Sequence, residues 1–222
     1  NNNIIKDTIK ITNKFLQYYS LNLKNMKKMN TTKINKETNK ILNIIRKNVL
    51  KDNVVFGYYA YYYYKYQGSN KKLDNLYIPY YDVLTLNFKK TIEKIKKNMP
   101  NLTVKFFNPL FKYFSKKASF YFNNQLVLNV YDQEGQCIQY NYLKKKNIYI
   151  CSYQYLLFSS IIKSIFNNDI NFNFIIKDIV EIRNKFLKNK SLLDDTPFQE
   201  FNSKCKGKTI TEARKIRLEW IE

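Results

Sequence analysis

The residues that could do chemistry in this chain are few, because its 222 residues include no His and only three Cys. Without imidazole, Ser-His-Asp triads, His metal sites and His acid–base catalysis are all excluded. Carboxylates remain, and one of them has a distinctive setting. The short β-branched run 54–56 ends at Gly57, a helical stretch follows, and Asp82 stands in an apolar run just after Pro79. A strand, a glycine turn, a helix and a second strand would therefore position Asp82.

Helical and strand-like segments surround these residues. Apolar spacing predicts helices over 33–51, 87–98, 152–167, 172–188 and 209–222, with a weaker pattern over 4–28. Strands are predicted at 54–56, 76–86, 102–107, 119–123 and 126–132, and in the runs CIQYNYL and NIYIC. The tyrosine tract 58–66 is expected to be mostly core. This order predicts an α+β fold, a small mixed sheet flanked by N-terminal and C-terminal helices. We expect an N-terminal helical segment (1–32), an α/β domain (33–151) and a C-terminal helical domain (152–222).

The stretch GYYAYYYY followed by LYIPYYDVLT resembles the GGTA…IPDYDFYS-type motif of poly(A) polymerases from large cytoplasmic DNA viruses, the mimivirus-like group. The later segments LVLNVYD, QCIQY, YICSYQYLL and DDTPFQEFNSKCKGKTITEARKIRLE resemble the same group, so the resemblance spans roughly 33–220. It implies a nucleotidyltransferase fold. In such a fold a glycine turn cradles a triphosphate, and three carboxylates from two strands hold two metal ions.

Compared with that catalytic pattern, this chain departs at three positions. Gly57 matches the first turn glycine, but Tyr58 stands at the second, where a phenol should obstruct a triphosphate. Asp82 matches the second carboxylate, whereas Tyr80 replaces the first and Asn129 the third. An amide offers oxygen to a metal but brings no negative charge. The resemblance therefore leaves Asp82 as the one catalytic and metal-ligating candidate, in an inactive nucleotidyltransferase site.

Other candidates follow from the resemblance and from the charge. Asp132 is three residues from Asn129 and therefore on the opposite strand face, a poor substitute. The nucleotide-binding candidates are Gly57, Tyr58 and Ser152. There are 39 basic and 17 acidic residues, a net charge of +22. Lys outnumbers Arg 35 to 4, so an AT-rich genome explains part of this excess. The remainder predicts a basic face for a polyanion. Its RNA-binding candidates are Lys89, Lys90, Lys116, Lys117, Lys144, Lys145, Arg214 and Arg217.

We expect a poly(A) polymerase-like RNA-binding subunit, a non-catalytic or regulatory partner in mRNA 3′-end polyadenylation. Two alternatives stay open: an organelle-encoded ribosomal or other structural RNA-binding protein, and an active template-independent RNA nucleotidyltransferase. If the site is inactive, no cofactor is expected. If it is active, we expect Mg²⁺ or Mn²⁺ together with ATP. The expected partners are RNA and a second subunit, in a homodimer or in a heterodimer with an active polymerase-like chain.

The expected location is the cytoplasm, in a viral factory or virion, or a mitochondrion or other organelle under the ribosomal alternative. No apolar run approaches the ~18 residues of a membrane helix, so no membrane partner is expected. Cys137, Cys151 and Cys205 have no CxxC spacing. The simplest interpretation is three reduced, mostly buried thiols.

Overall fold

The computed structural model describes residues 35–66, 78–108, 116–167, 170–188 and 205–208, and single residues at 10, 73, 76 and 212. Within these ranges the helices are α1 (Lys36–Asn48), α2 (Gly57–Lys65), α3 (Phe88–Asn98), α4 (Tyr153–Asn167) and α5 (Ile170–Lys188). The strands are β1 (Val54–Phe56), β2 (Tyr81–Thr85), β3 (Thr103–Phe107), β4 (Lys117–Phe122), β5 (Gln125–Asp132), β6 (Ile138–Leu143), β7 (Ile148–Cys151) and β8 (Cys205–Lys206). Single turns of 3₁₀ helix lie at Leu50–Asp52 and Lys144–Lys146.

The strands form one mixed sheet in the order β3-β4-β5-β2-β1-β7-β6-β8. Two neighbouring pairs are parallel, β2 with β5 and β1 with β7, and the other pairs are antiparallel. The central strands β1 and β2 are buried along their whole length. This arrangement confirms the predicted α+β fold, with a mixed sheet between α1 on the N-terminal side and α4 and α5 on the C-terminal side.

Local sequence explains where the two helices with the plainest apolar periodicity begin and what they bury. At the start of α1, the Asn35 side chain accepts a hydrogen bond from the Glu37 N–H, and the helix buries Leu42 and Ile45. Asn87 caps α3 in the same way by accepting from the Lys90 N–H. An amide side chain at the N-cap satisfies a backbone donor that the helix itself cannot pair.

The tyrosine tract forms α2, and most of its rings lie in the core as predicted. Buried phenols need partners for their hydroxyl groups. The Tyr61 hydroxyl donates to a carboxylate oxygen of Asp178 on α5 at 2.6 Å, and the Tyr64 hydroxyl donates to the carbonyl oxygen of Cys151 at 2.8 Å. These bonds fasten α2 to α5 and to the end of β7.

Several predicted boundaries differ from the observed ones. The strand predicted over 76–86 begins only at Tyr81, because Pro79 has no N–H to give to a neighbouring strand. The helix predicted over 209–222 and the N-terminal segment 1–32 lie outside the described residues, apart from Glu212 and Lys10. Residues of α4 and α5 share one hydrophobic core with the sheet. The division into three domains stays a prediction.

The cysteine expectation was wrong for two of the three residues. Cys137 and Cys205, 68 residues apart, form a disulfide that joins the start of β6 to β8. Only Cys151, the last residue of β7, is a free and buried thiol. Spacing along the chain could not reveal this pairing, because sheet formation brings the two segments together.

Candidate functional site

Asp82 lies in the middle of the sheet, and strand register decides its neighbours. In β2 it stands directly beside Phe56 of β1 and beside Asn129 of β5. Asn129 in turn stands beside Ser119 of β4. Side chains that are directly opposite in neighbouring strands project to the same face. Register therefore places Phe56, Asp82, Asn129 and Ser119 in a row across one face of four strands, and Asp82 is fully buried.

A chain of hydrogen bonds runs along this row. The Asn129 amide Nδ2 donates to Asp82 Oδ1 at 3.0 Å, and Ser119 Oγ lies 2.6 Å from Asn129 Oδ1. The amide nitrogen must face the carboxylate, because the opposite orientation would set two acceptor oxygens against each other. Asn129 therefore uses its oxygen for Ser119 and its N–H for Asp82.

The other oxygen of Asp82 is held by a residue from α4. Lys163 Nζ lies 2.7 Å from Asp82 Oδ2, and only 3% of the lysine side chain is exposed. Aromatic rings surround the ammonium group, with centroids 4.7–5.9 Å from Nζ; they belong to Phe56, Phe172, Tyr131 and Tyr80. Ring faces attract cations, most strongly where water is excluded. A carboxylate and an aromatic cage thus hold one lysine cation at the centre of the site.

Gly57 is needed beside this ion pair for two reasons. Its φ of +63° lies in the left-handed region that side chains disfavour, and a Cβ built there would lie 2.2 Å from Asp82 Oδ2. The next residue, Tyr58, is buried. Its ring packs edge-on against Tyr80, with the ring centroids 5.2 Å apart, and at a tilt of 41° against Phe172, with the centroids 5.4 Å apart. The turn that would cradle a phosphate is therefore filled by a carboxylate and by aromatic rings.

Burial shapes the protonation of the groups around the pair. Burial raises the pKa of Tyr131 well above its ordinary value, and the charge of Asp82 raises it further. Burial also raises the pKa of the Cys151 thiol. The pKa of Lys117 is lowered, first by burial and then by the cation of Lys163. Tyr131 and Cys151 therefore stay neutral, and neither adds a charge beside the Asp82–Lys163 pair.

These residues do not fit a two-metal site. Mg²⁺ binds oxygen ligands at about 2.0–2.1 Å and needs several of them around it. Both oxygens of Asp82 are already taken, by an amide N–H and by an ammonium group, and the Asn129 oxygen faces Ser119. Within the part of the chain that the structure describes, no three Asp, Glu, Cys or His residues lie close enough together to hold a metal ion.

Five of the predicted site residues come together here: Gly57, Tyr58, Tyr80, Asp82 and Asn129. The other candidates near a strand end have local roles. Ser152 precedes α4, and its hydroxyl accepts from the Tyr155 N–H at 3.3 Å as a helix cap does. The Asp132 carboxylate accepts from the Glu134 N–H at 3.0 Å in the turn after β5.

The lysine candidates do not form one cluster. Lys89 and Lys90 are exposed on the first turn of α3, Lys116 and Lys117 lie at the start of β4, and Lys144 and Lys145 form the turn after β6. β4 and β6 are the second and seventh strands of the sheet. Five interstrand spacings separate them by about 24 Å, so these two groups do not line one narrow groove. Arg214 and Arg217 lie outside the described residues.

Sequence reasoning missed Lys163 and Ser119, although a signal for the lysine existed. Lys163 is the only charged residue of α4, whose sequence is YQYLLFSSIIKSIFN. A lone charge between apolar residues on a core helix predicts a buried partner of opposite charge. No comparable signal marks Ser119, because serine is common in strands and turns.

Three comparisons with known proteins bear on this site. The family model described as "APMV, Putative poly(A) polymerase, catalytic subunit, C-terminal" matches residues 13–222. A relative from Acanthamoeba polyphaga mimivirus, named "Putative poly(A) polymerase catalytic subunit", is 26% identical over 172 residues, which are 65% of this chain and 30% of the relative.

The crystal structure of the Megavirus polyadenylate synthase superposes with a TM-score of 0.72 and 21% identity, over 88% of this chain and 44% of the other. This likeness supports the nucleotidyltransferase-like fold. The chain thus spans less than half the length of either protein. Since the family model matches nearly all of its residues, the chain belongs to the family of giant-virus poly(A) polymerase catalytic subunits, to whose C-terminal part it corresponds.

Proposed function

We propose that this chain is a non-catalytic, nucleotidyltransferase-like part of a viral poly(A) polymerase, and that it acts as an RNA-binding or regulatory partner in mRNA 3′-end polyadenylation. The ion pair between Lys163 and Asp82 carries the proposal. A catalytic carboxylate must present its oxygens to a metal ion that holds the phosphates. Here an ammonium group of the same chain takes that place.

The energetics of the pair support a permanently closed site. Both charges are buried, and breaking a buried pair by removing one partner costs about 3–5 kcal/mol. A metal ion would have to displace Lys163 and leave the ammonium group among four aromatic rings without a counterion. Tyr80 and Asn129 supply no second carboxylate to make that exchange favourable.

The family supports the polyadenylation part of the proposal. The matched model is the C-terminal part of a catalytic subunit, so the chemistry would come from another part of such a polymerase or from a second subunit. In this view Mg²⁺ or Mn²⁺ with ATP binds to the active partner, and this chain needs no cofactor. A homodimer or a heterodimer in the cytoplasm, in a viral factory or virion, belongs to the same proposal. The organelle-encoded ribosomal alternative finds no support in a viral family.

Among the described residues, no helix combines the length and the apolar character that crossing a bilayer requires.

The proposal is tested by primer extension with the purified chain, a short fluorescent RNA, ATP and either Mg²⁺ or Mn²⁺. We expect no extension, and no metal-dependent rise in melting temperature. A ligand at about 100 times its Kd would stabilise the fold by about 2.7 kcal/mol, which a thermal shift detects readily. A commercial poly(A) polymerase serves as the positive control.

Extension by the chain alone would overturn the proposal if Asp82→Asn abolished it. The asparagine variant is chosen because it keeps the size and shape of Asp82 while removing its charge. Circular dichroism of the variant establishes whether it is folded, so that lost activity is not confused with unfolding.

A further inference from the structure

A second surface lies on the same side of the sheet as the ion pair. We call it the β3–β4 face and define it by Lys105, Phe107, Lys117 and Tyr121. Phe107 stands directly opposite Lys117, and Lys105 stands opposite Ser119. Directly paired residues and residues two apart share a face, so all of these side chains project to the side on which Ser119 meets Asn129.

This face alternates cations and aromatic rings. Lys117 Nζ lies 4.2 Å from the centroid of the Phe107 ring, and Lys105 Nζ lies 5.3 Å from that of Tyr121. Phe107 is 41% exposed although it is a large apolar residue, Lys105 is also exposed, and Lys117 and Tyr121 are half-buried. Neither β3 nor β4 contains an acidic residue. The face therefore offers positive charge and ring surface with no carboxylate on either strand.

From this chemistry we propose that the β3–β4 face binds single-stranded RNA, with bases stacked on Phe107 and Tyr121 and phosphates held by Lys105 and Lys117. Aromatic rings interleaved with lysines suit single strands because every base has a face for stacking and every nucleotide carries a negative charge. Duplex RNA presents its bases edge-on in the grooves, which leaves no base face for the rings.

The spacing fits a strand of a few nucleotides. Phe107 and Tyr121 are four positions apart along the strands and one strand apart across them. Strand geometry puts them about 14 Å from each other. Such a span accommodates two stacked bases with a short stretch of backbone between them, comparable to RNA-binding sheets whose aromatic residues stack two or three bases.

This inference rests on the proposed function, since it names the RNA surface of the proposed non-catalytic part. The two fail in different assays. Primer extension reports on the Asp82–Lys163 site, whereas RNA affinity reports on the β3–β4 face whether or not the chain is active.

The test measures fluorescence anisotropy of a labelled single-stranded oligoadenylate with the 222-residue chain. We expect Phe107→Ala to weaken binding by about 5- to 150-fold, since one stacked base contributes about 1–3 kcal/mol. Phe107→Tyr, which keeps a ring, should retain most of the affinity. Phe158→Ala is the matched control, because Phe158 is a 49% exposed ring on α4, outside this face. It should leave affinity unchanged.

The charge contribution is tested separately. Lys105→Gln should reduce the slope of log affinity against log salt by about 0.7, the value for one phosphate contact with a single strand. Lys40→Gln, at an exposed position of α1, should leave that slope unchanged. Equal effects of Phe107→Ala and Phe158→Ala would overturn the proposal. So would binding of duplex RNA as tight as binding of the single strand, or an absence of RNA binding, which would point to a protein partner instead.

Discussion

The strongest test of the buried ion pair is a double-mutant cycle with Lys163→Met and Asp82→Asn. Methionine keeps an unbranched side chain without the charge, and asparagine keeps the shape of aspartate. The two charges are 2.7 Å apart, and the side chains are 3% and 0% exposed. At an effective dielectric constant of about 20, charges at this distance attract by about 6 kcal/mol. Desolvation of both ions offsets much of that attraction in the net stability.

Each single variant leaves one buried charge without its partner. We therefore expect each to lower the free energy of unfolding by about 3–5 kcal/mol. The double variant removes both charges and should recover much of the loss, with a coupling energy of at least about 2 kcal/mol. Urea unfolding of the four proteins, followed by circular dichroism, measures these values.

A surface ion pair of nearly the same length provides the control. Lys94 and Asp52 are 2.9 Å apart, but their side chains are 54% and 68% exposed. The matched cycle with Lys94→Met and Asp52→Asn should give a coupling energy below about 1 kcal/mol. If the buried cycle gave a coupling no larger than this surface cycle, Lys163 would not be held by Asp82, and the argument for a closed site would fail.

Three further predictions concern the surroundings of the site. Gly57→Ala should destabilise the fold more than Gly135→Ala. Both glycines have a positive φ, and an alanine in that conformation costs about 1–2 kcal/mol at either position. At Gly135 a Cβ would have open space, whereas at Gly57 it would lie 2.2 Å from a carboxylate oxygen of Asp82. Equal losses in urea unfolding would contradict this. Burial raises the pKa of Tyr63 and Tyr81 to about 12. The folded state therefore keeps these phenols protonated up to about pH 12, whereas the unfolded chain loses the protons from about pH 10. The free energy of unfolding should be unaffected below pH ~10 and should fall between pH 10 and 12, by about 1.4 kcal/mol per pH unit for each tyrosine. If the free energy of unfolding, measured by urea titration, did not change between about pH 10 and 12, this prediction would be refuted. Burial also raises the pKa of Cys151, so iodoacetamide should label this thiol in the unfolded chain and not in the folded one, as mass spectrometry would reveal.

Much of the fold could be predicted because the signals are local. The helices α1 and α3 follow from apolar residues at helical spacing, and β1 with its glycine turn follows from three β-branched or aromatic residues before Gly57. Strand order in a resembling family placed Asn129 near Asp82, and the register confirms that the two are direct neighbours. The prediction that Tyr80 and Asn129 stand where the family pattern has carboxylates also came from the sequence alone.

The tertiary structure decided what occupies the site. Lys163 lies 81 residues after Asp82, and no periodicity or turn signal connects the two. They meet because α4 packs against the sheet, and because a buried lysine and a buried aspartate each need the other as a counterion. The disulfide between Cys137 and Cys205 has the same origin, since pairing of β6 with β8 sets that contact. The sequence by itself determined most of the helices and strands, through local and periodic preferences. Only long-range packing determined that a lysine of the same chain lies against Asp82.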